Sequence, residues 1–331
     1  VKAYCALKLM GHDRIAEYMV RARNAMRAAG GADAVNSFTR FYLALLGQIS
    51  YAQCCAVTPE LMLLPKWFPI NIYSMSAWSR TIVVPLAIMW AHRPTSNIAP
   101  EEGIRELFLK RPEEWPPLRC PGLQGSTSLL SWDRFFRTVD GGLKFCERNG
   151  IKPLRKRALK LAADWMIERF AGSDGLGAIF PPMVWSVIAL RVLGYSDDSA
   201  EMRYCTERLE GLIIEEKKTA RLQPCKSPVW DTAITLRSLF DAGLPANHPG
   251  MREAIGWLLD KQIVRKGDWC ETVDAPTGGG WCFEYENDFY PDVDDTAMVA
   301  MALAEQYAPT SAALLPPELA LHDDDASPHG Y

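Results

Sequence analysis

The sequence predicts an all-α protein built from stacked helical hairpins, and three observations carry that prediction. Apolar residues recur at helical spacing, at Leu154, Ala158, Leu161 and Trp165 and again at Ala254, Ile255, Leu258 and Leu259, so each run offers one face to a core. Helix stops of suitable chemistry are frequent, such as Gly194 after Leu193 and Gly243 before Pro245, whereas alternating strand-like runs are scarce. Several segments also look like variants of one unit: residues 6–11, residues 189–194, and residues 236–240 leading to Gly243. Residues 230–233 (Trp-Asp-Thr-Ala) match residues 294–297 (Asp-Asp-Thr-Ala), 64 positions on, each opening an apolar helix. An irregular period of that size fits a helical toroid better than a solenoid of short, uniform repeats.

Taken in order, residues 1–10 read as a helix already under way, with no charged-then-apolar leader, so the chain is expected to begin inside a longer protein. The longest apolar run, residues 82–91, is interrupted by Pro85 and is about half of the ~20 residues that a spanning helix needs. Residues 92–125 carry several prolines and few periodic apolar positions, which predicts a long excursion between helices. Residues 306–331 combine Pro316 and Pro317 with the acidic run Asp323, Asp324 and Asp325 and have no amphipathic period, so disorder is expected there.

Composition bounds the function. The 331 residues are 48% hydrophobic and 23% charged, enough for a substantial core and, at roughly 100–200 residues each, about two domains. The net charge of -4 comes from interspersed acids and bases, so no basic patch marks a nucleic-acid partner. Nine cysteines, scattered apart from adjacent Cys54 and Cys55, lack zinc-ligand spacing and read as reduced intracellular thiols; neither metal nor cofactor is expected.

The chemistry concentrates near residue 290. Gly278, Gly279 and Gly280 permit a tight turn into Trp281, Cys282 and Phe283, and Tyr290-Pro291 then leads into Asp292-Val293-Asp294-Asp295 at the mouth of an apolar helix. An acidic N-cap explains one such carboxylate, not three. Crowding carboxylates away from water raises the pKa of at least one, so a protonated acid can persist at neutral pH. Such an acid can be presented to an alkene, a very weak base, and the carbocation that results is stabilised without side reaction by aromatic faces.

Residues 223–233 (Gln-Pro-Cys-Lys-Ser-Pro-Val-Trp-Asp-Thr-Ala), residues 279–281 with 290–297, and residues 67–69 with 76–80 together resemble the bacterial squalene-hopene cyclases, and the likeness runs from Val1 to about Ala304. Residues 262–269, from Gln262 through Gly267 to Trp269, also resemble the family's repeated Gln-to-Trp motif, which ties successive helices together. The resemblance implies an α/α-toroid (an α6-α6 barrel type) in a two-barrel arrangement incomplete here. Residues 1–225 would form most of one barrel, residues 226–305 the start of another, and residues 306–331 a divergent tail. It implies that Asp294 is the proton donor with Asp292 and Asp295 flanking it, and that Trp78, Trp230, Phe283 and Tyr290 are aromatic positions of the substrate cavity. Trp257, Trp269 and Trp281 are read as structural, and the five histidines as surface or loop residues.

The implied activity is an isomerase reaction, proton-started cyclisation of squalene to hopene- or hopanol-type products, and the family continues well beyond the acid motif, which leaves the activity of this chain alone in question. Because squalene resides in the bilayer, the resemblance further implies a monotopic protein on the cytoplasmic face of the bacterial inner membrane, with a homodimer as one assembly it allows. Two rival readings are another class II terpene cyclase, of diterpene or oxidosqualene type, and a non-catalytic α/α-toroid for protein interaction. Residues 223–233 and Asp295 speak against the first, and the acid triplet against the second.

Overall fold

The computed structural model, described for residues 1–115, 131–273 and 278–307, is dominated by helices, as the periodicity predicts. Backbone contacts separate two units: residues 1–171 with 175–224, and residues 172–174 with the chain from Cys225 onward.

The first unit contains α1 (Lys2–Leu9), α2 (Glu17–Ala28), α3 (Ser37–Leu45), α4 (Ala77–His92), α5 (Trp132–Arg148), α6 (Arg155–Glu168), α7 (Phe180–Leu193) and α8 (Ala200–Glu210). Helix α4 is apolar all round because it is covered on two sides. Leu86, Met89 and Trp90 enter a cluster with Phe41, Leu43 and Trp185, while Val84 and Ile88 enter another with Trp165, Met166 and Leu190. Pro85 does not interrupt it, contrary to the sequence reading: the residue lies buried inside a continuous helix. A proline there costs about 3 kcal/mol through one lost hydrogen bond and a ring clash, and the apolar burial on both sides of α4 offsets it.

The recurring unit closes in one way. In α1, Gly11 (φ 85) donates to Lys8 O and His12 to Leu7 O; in α7, Gly194 (φ 91) donates to Arg191 O and Tyr195 to Leu190 O. In the second unit Gly243 (φ 87) donates to Phe240 O and Leu244 to Leu239 O, so all three segments end in the same left-handed glycine cap.

The predicted face of α6 needs correction. Ala158 and Trp165 are buried, but Leu154 is 60% exposed at the N-cap with φ 61, and Leu161 is also exposed. The buried side is Ala158, Ala162, Trp165 and Met166, because small alanines allow close approach where a leucine would not fit. Between α8 and the second unit, strands β1 (Ile213–Glu215) and β2 (Ala220–Leu222) form an antiparallel hairpin that the sequence reading missed. Within the long excursion, Ile104, Leu107 and Trp115 are buried, and residues 116–125 lie outside the described residues. So does the predicted disordered tail from residue 308.

Helix α5 is the exception to inward packing. Its Ser131 cap and polar end are anchored, with Glu147 buried among Lys152 (2.6 Å), Arg155 (2.9 Å) and Arg93 (3.5 Å), yet Trp132, Phe135, Phe136, Val139 and Phe145 are all exposed. Among the described residues, no helix is long and apolar enough to cross a membrane.

The second unit holds α9 (Pro228–Asp241), α10 (Pro249–Asp260) and α11 (Val293–Tyr307). Their core joins Val229, Ala233 and Leu236 of α9, Met251 and Leu258 of α10, and Val299 and Ala302 of α11 around Trp281. In α10, Ile255 and Leu258 are buried as expected, whereas Leu259 faces out.

Candidate active site

Trp281 fixes the frame. Its ring is buried and its indole N–H donates to Leu258 O (2.6 Å), its backbone N–H donates to Thr296 Oγ1 (3.0 Å), and its carbonyl accepts from Asp292 N (2.8 Å). The glycine turn before it leaves no room for side chains at Gly278 and Gly280. A Cβ at Gly278 would lie 2.6 Å from Ile263 O, and one at Gly280 would lie 2.7 Å from both Pro291 Cβ and Thr296 Oγ1. The Gln262 amide donates to Gly279 O (2.9 Å), so the Gln-to-Trp segment clamps this turn.

The three aspartates, brought together at the start of α11, occupy different environments. Asp292 caps the helix: its Oδ1 accepts from Asp294 N (2.8 Å) and Asp295 N (3.3 Å), and its carbonyl from Thr296 N (3.0 Å). Asp294 is exposed, next to Val293 at 83% exposure. Asp295 is only 2% exposed, with Oδ1 buried and lacking a hydrogen-bond partner. Burial, then the charges of Asp292 and Asp294, push the Asp295 carboxyl up to about 7.

Of the aromatic candidates, Phe283 is half-buried two residues after Trp281, and half-buried Trp230 lies in the first turn of α9, the helix packed on α11. Tyr290 is half-buried, and its hydroxyl donates to buried Asp268 Oδ2 (2.5 Å). Trp78, half-buried in the first turn of α4, belongs to the first unit. His12 pairs with Tyr18 at the surface, His92 sits exposed in the last turn of α4, and His248 caps α10.

Sequence reasoning missed Glu284. It is 2% exposed, accepts from Asn287 Nδ2 (3.3 Å), and burial raises its carboxyl to about 7 despite that hydrogen bond, with Asp295 and Asp174 adding repulsion. The sign for stability follows. The folded chain keeps a proton on Glu284 that the unfolded chain releases near 4.5, so stability declines as pH rises from about 4.5 to about 7. Glu284→Gln removes this decline and stabilises the chain by about 3 kcal/mol at pH 8, with little change at pH 4; urea unfolding followed by circular dichroism at the two pH values measures it. A variant no more stable than wild type at pH 8 would show that Glu284 ionises freely.

The family model for the squalene-hopene cyclase N-terminal domain matches residues 1–218, and that for the C-terminal domain matches residues 226–314. The chain is 40% identical over 307 residues to a squalene–hopene cyclase of Bradyrhizobium diazoefficiens, covering 92% of this chain and 46% of that protein. Similar coverage holds for the squalene–hopene cyclases of Zymomonas mobilis (38% identical; 92% and 46%) and Alicyclobacillus acidocaldarius (36% identical; 92% and 47%). The chain thus spans about half the length of the curated relatives it matches.

Proposed function

The chain belongs to the squalene-hopene cyclase family, and from that premise we propose that it carries the proton-donating part of a squalene cyclase, an isomerase that makes hopene- or hopanol-type triterpenes. The α/α-toroid class goes with the family, and residues 1–225 and 226–305 are read as one barrel and the beginning of the next. The observation that carries the reading is the division of labour in the aspartate triplet: one carboxyl caps, one is buried, and one is exposed.

In this mechanism Asp294 gives its carboxyl proton to the terminal alkene of squalene, forming a C–H bond and leaving a carboxylate and a tertiary carbocation. The assignment rests on the match of residues 292–295 to the family's acid motif, and Asp294 is the one of the three that neither caps the helix nor is buried. Asp292 fixes the helix start. Asp295, held near neutrality by burial, spares Asp294 a second adjacent full charge. The cation passes along the chain as rings close and ends by losing a proton or capturing water. Phe283, Trp230, Tyr290 and Trp78 are assigned to stabilise it through their ring faces, each worth on the order of 0.5–2 kcal/mol.

The test is gas chromatography of squalene incubated with the complete gene product that contains this chain: cyclised triterpenes are expected, and recovery of squalene alone contradicts the reading. Phe283→Ala and Trp230→Ala in the same protein should still consume squalene but release partly cyclised alkenes, because the cation loses a stabilising face midway. An unchanged product pattern would remove these two rings from the cavity.

Squalene must come from a bilayer, and α5 supports a lipid-facing role. Its exposed Trp132, Phe135, Phe136 and Val139 recur at three- and four-residue spacing along one side of a helix anchored by its polar end. The reading makes the protein monotopic, on the cytoplasmic face of the bacterial inner membrane. Replacing Phe135 and Phe136 together by Glu should weaken flotation with lipid vesicles roughly a hundredfold, about 3 kcal/mol for two aromatic rings kept in water. Equal flotation of variant and parent would exclude α5 as the docking face.

A further inference from the structure

The Tyr290 hydroxyl donates to Asp268 Oδ2 at 2.5 Å, and Asp268 is buried, with 6% of its surface exposed. None of the roles given to the aspartate triplet requires this bond. It sits on a segment whose backbone is already fixed from two sides. On one side Asp292 N donates to Trp281 O (2.8 Å), and a Cβ at Gly280 would lie 2.7 Å from Pro291 Cβ, so residues 291 and 292 are held against the glycine turn. On the other, a Cβ at Gly267 would lie 2.8 Å from both Asp288 O and Phe289 O, so the strip that carries Asp268 rests directly on the backbone before Tyr290. Cys270 N donates to Gly267 O (3.0 Å) at the start of the short helical turn Asp268–Glu271, and Arg265 pairs with Asp288 (2.8 Å).

These contacts fix the main chain on both sides of Tyr290, but they do not choose the direction of its ring. The bond to Asp268 does. Hydrogen bonds from an O–H to a carboxylate are short and about twice as strong as neutral ones, so a half-buried phenol anchored through its oxygen keeps one orientation. That orientation matters for a carbocation. Stabilisation comes from the ring face, whereas the lone pairs of a free phenol oxygen can take a proton from the cation and end the reaction early as an alkene.

We propose that Asp268 is a positioning residue for the cyclisation, a latch that holds the Tyr290 hydroxyl so that the ring meets the cation with its face and its oxygen is kept from acting as a base. The role rests on the reading of Tyr290 as an aromatic position of the squalene cavity. The latch itself does not depend on that reading.

The latch is tested by carbon NMR of the 331-residue chain labelled at the tyrosine Cζ, with Tyr290→Phe assigning the Tyr290 signal and circular dichroism verifying the fold. In Asp268→Ala that signal moves upfield, away from the phenolate value; an unmoved signal in a folded variant would overturn the proposal. The role is tested by gas chromatography of squalene products from the complete gene product. Tyr290→Phe, which releases the latch without touching Asp268, and Asp268→Ala should each raise the share of partly cyclised alkenes about twofold or more, the fold-change that matches the weakest cation–π contacts. Asp268→Ala should add nothing in a Tyr290→Phe background, and Asp268→Asn, whose amide oxygen still accepts, should recover most of the wild-type pattern. A merely structural Asp268 would act equally in both backgrounds, and that additivity would refute the role. So would a wild-type pattern from Tyr290→Phe alongside a changed one from Tyr290→Ala. A Tyr290 signal that moves in Asp268→Ala, in a protein whose products are unchanged even by Tyr290→Ala, would uphold the latch and remove Tyr290 from the cavity, so the two failures are separable.

Discussion

Asp294→Asn in the complete gene product reduces squalene conversion by at least a hundredfold, the lower end of what a positioned general acid contributes, while helical content stays unchanged. The substitution keeps size and shape and removes only the transferable proton. Because Asp294 is exposed and its backbone N–H already bonds to the Asp292 cap, its side chain holds no part of the core in place. A loss of activity without loss of fold is therefore the expected combination. Asp292→Asn should act differently: an amide oxygen still accepts from Asp294 N and Asp295 N, so the cap survives and conversion falls less completely.

Trp281→Ala has the largest expected effect on stability. Its ring is the shared centre of α9, α10 and α11, and its indole N–H donates to Leu258 O, so truncation opens a cavity and removes one of the two donors to that carbonyl, which keeps the bond from Lys261 N (3.1 Å). The cost is about 3–5 kcal/mol from the cavity, plus about 1 kcal/mol for the lost hydrogen bond. Urea unfolding of the chain measures it. Trp281→Phe fills most of the space and should cost less than half as much. If Trp281→Ala fell within 1 kcal/mol of wild type, roughly the spread of surface substitutions, the claim that this ring holds the start of α11 would fail.

What the sequence made legible depends on how local the cause is. Gly194 and Gly243 announce helix ends because a left-handed cap is decided by the glycine itself, and both end helices as read; Gly11, read only as part of the recurring unit, ends one in the same way. The buried face of α6 was not decided locally: Leu154 and Leu161 are as apolar as its true contacts, and the approach of α4 and of residues Pro59–Leu63 selects Ala158, Ala162, Trp165 and Met166 instead. Pro85 shows the same in reverse, a local helix breaker overruled by burial on two sides.

The site divides along the same line. Three adjacent aspartates before an apolar helix can be recognised without coordinates, because their crowding is a property of the chain. Which of them is buried cannot, since that depends on how Trp281 ties the turn to Asp292 and Thr296. Glu284 was invisible for a stronger reason. In the run Glu284-Tyr285-Glu286-Asn287-Asp288 it reads as one acid on a solvated loop, and its burial arises from pairing with residues 172–174, more than a hundred positions away.

The central claim is that the reaction begins with a proton delivered through Asp294. Mass spectrometry of the product formed from squalene in D2O tests it most directly, with wild type and Asp294→Asn side by side. Delivery from an exchangeable carboxyl predicts one non-exchangeable deuterium per product molecule in wild type and no deuterated product from Asp294→Asn. Product without solvent deuterium, or deuterated product formed by Asp294→Asn at the wild-type rate, would contradict it.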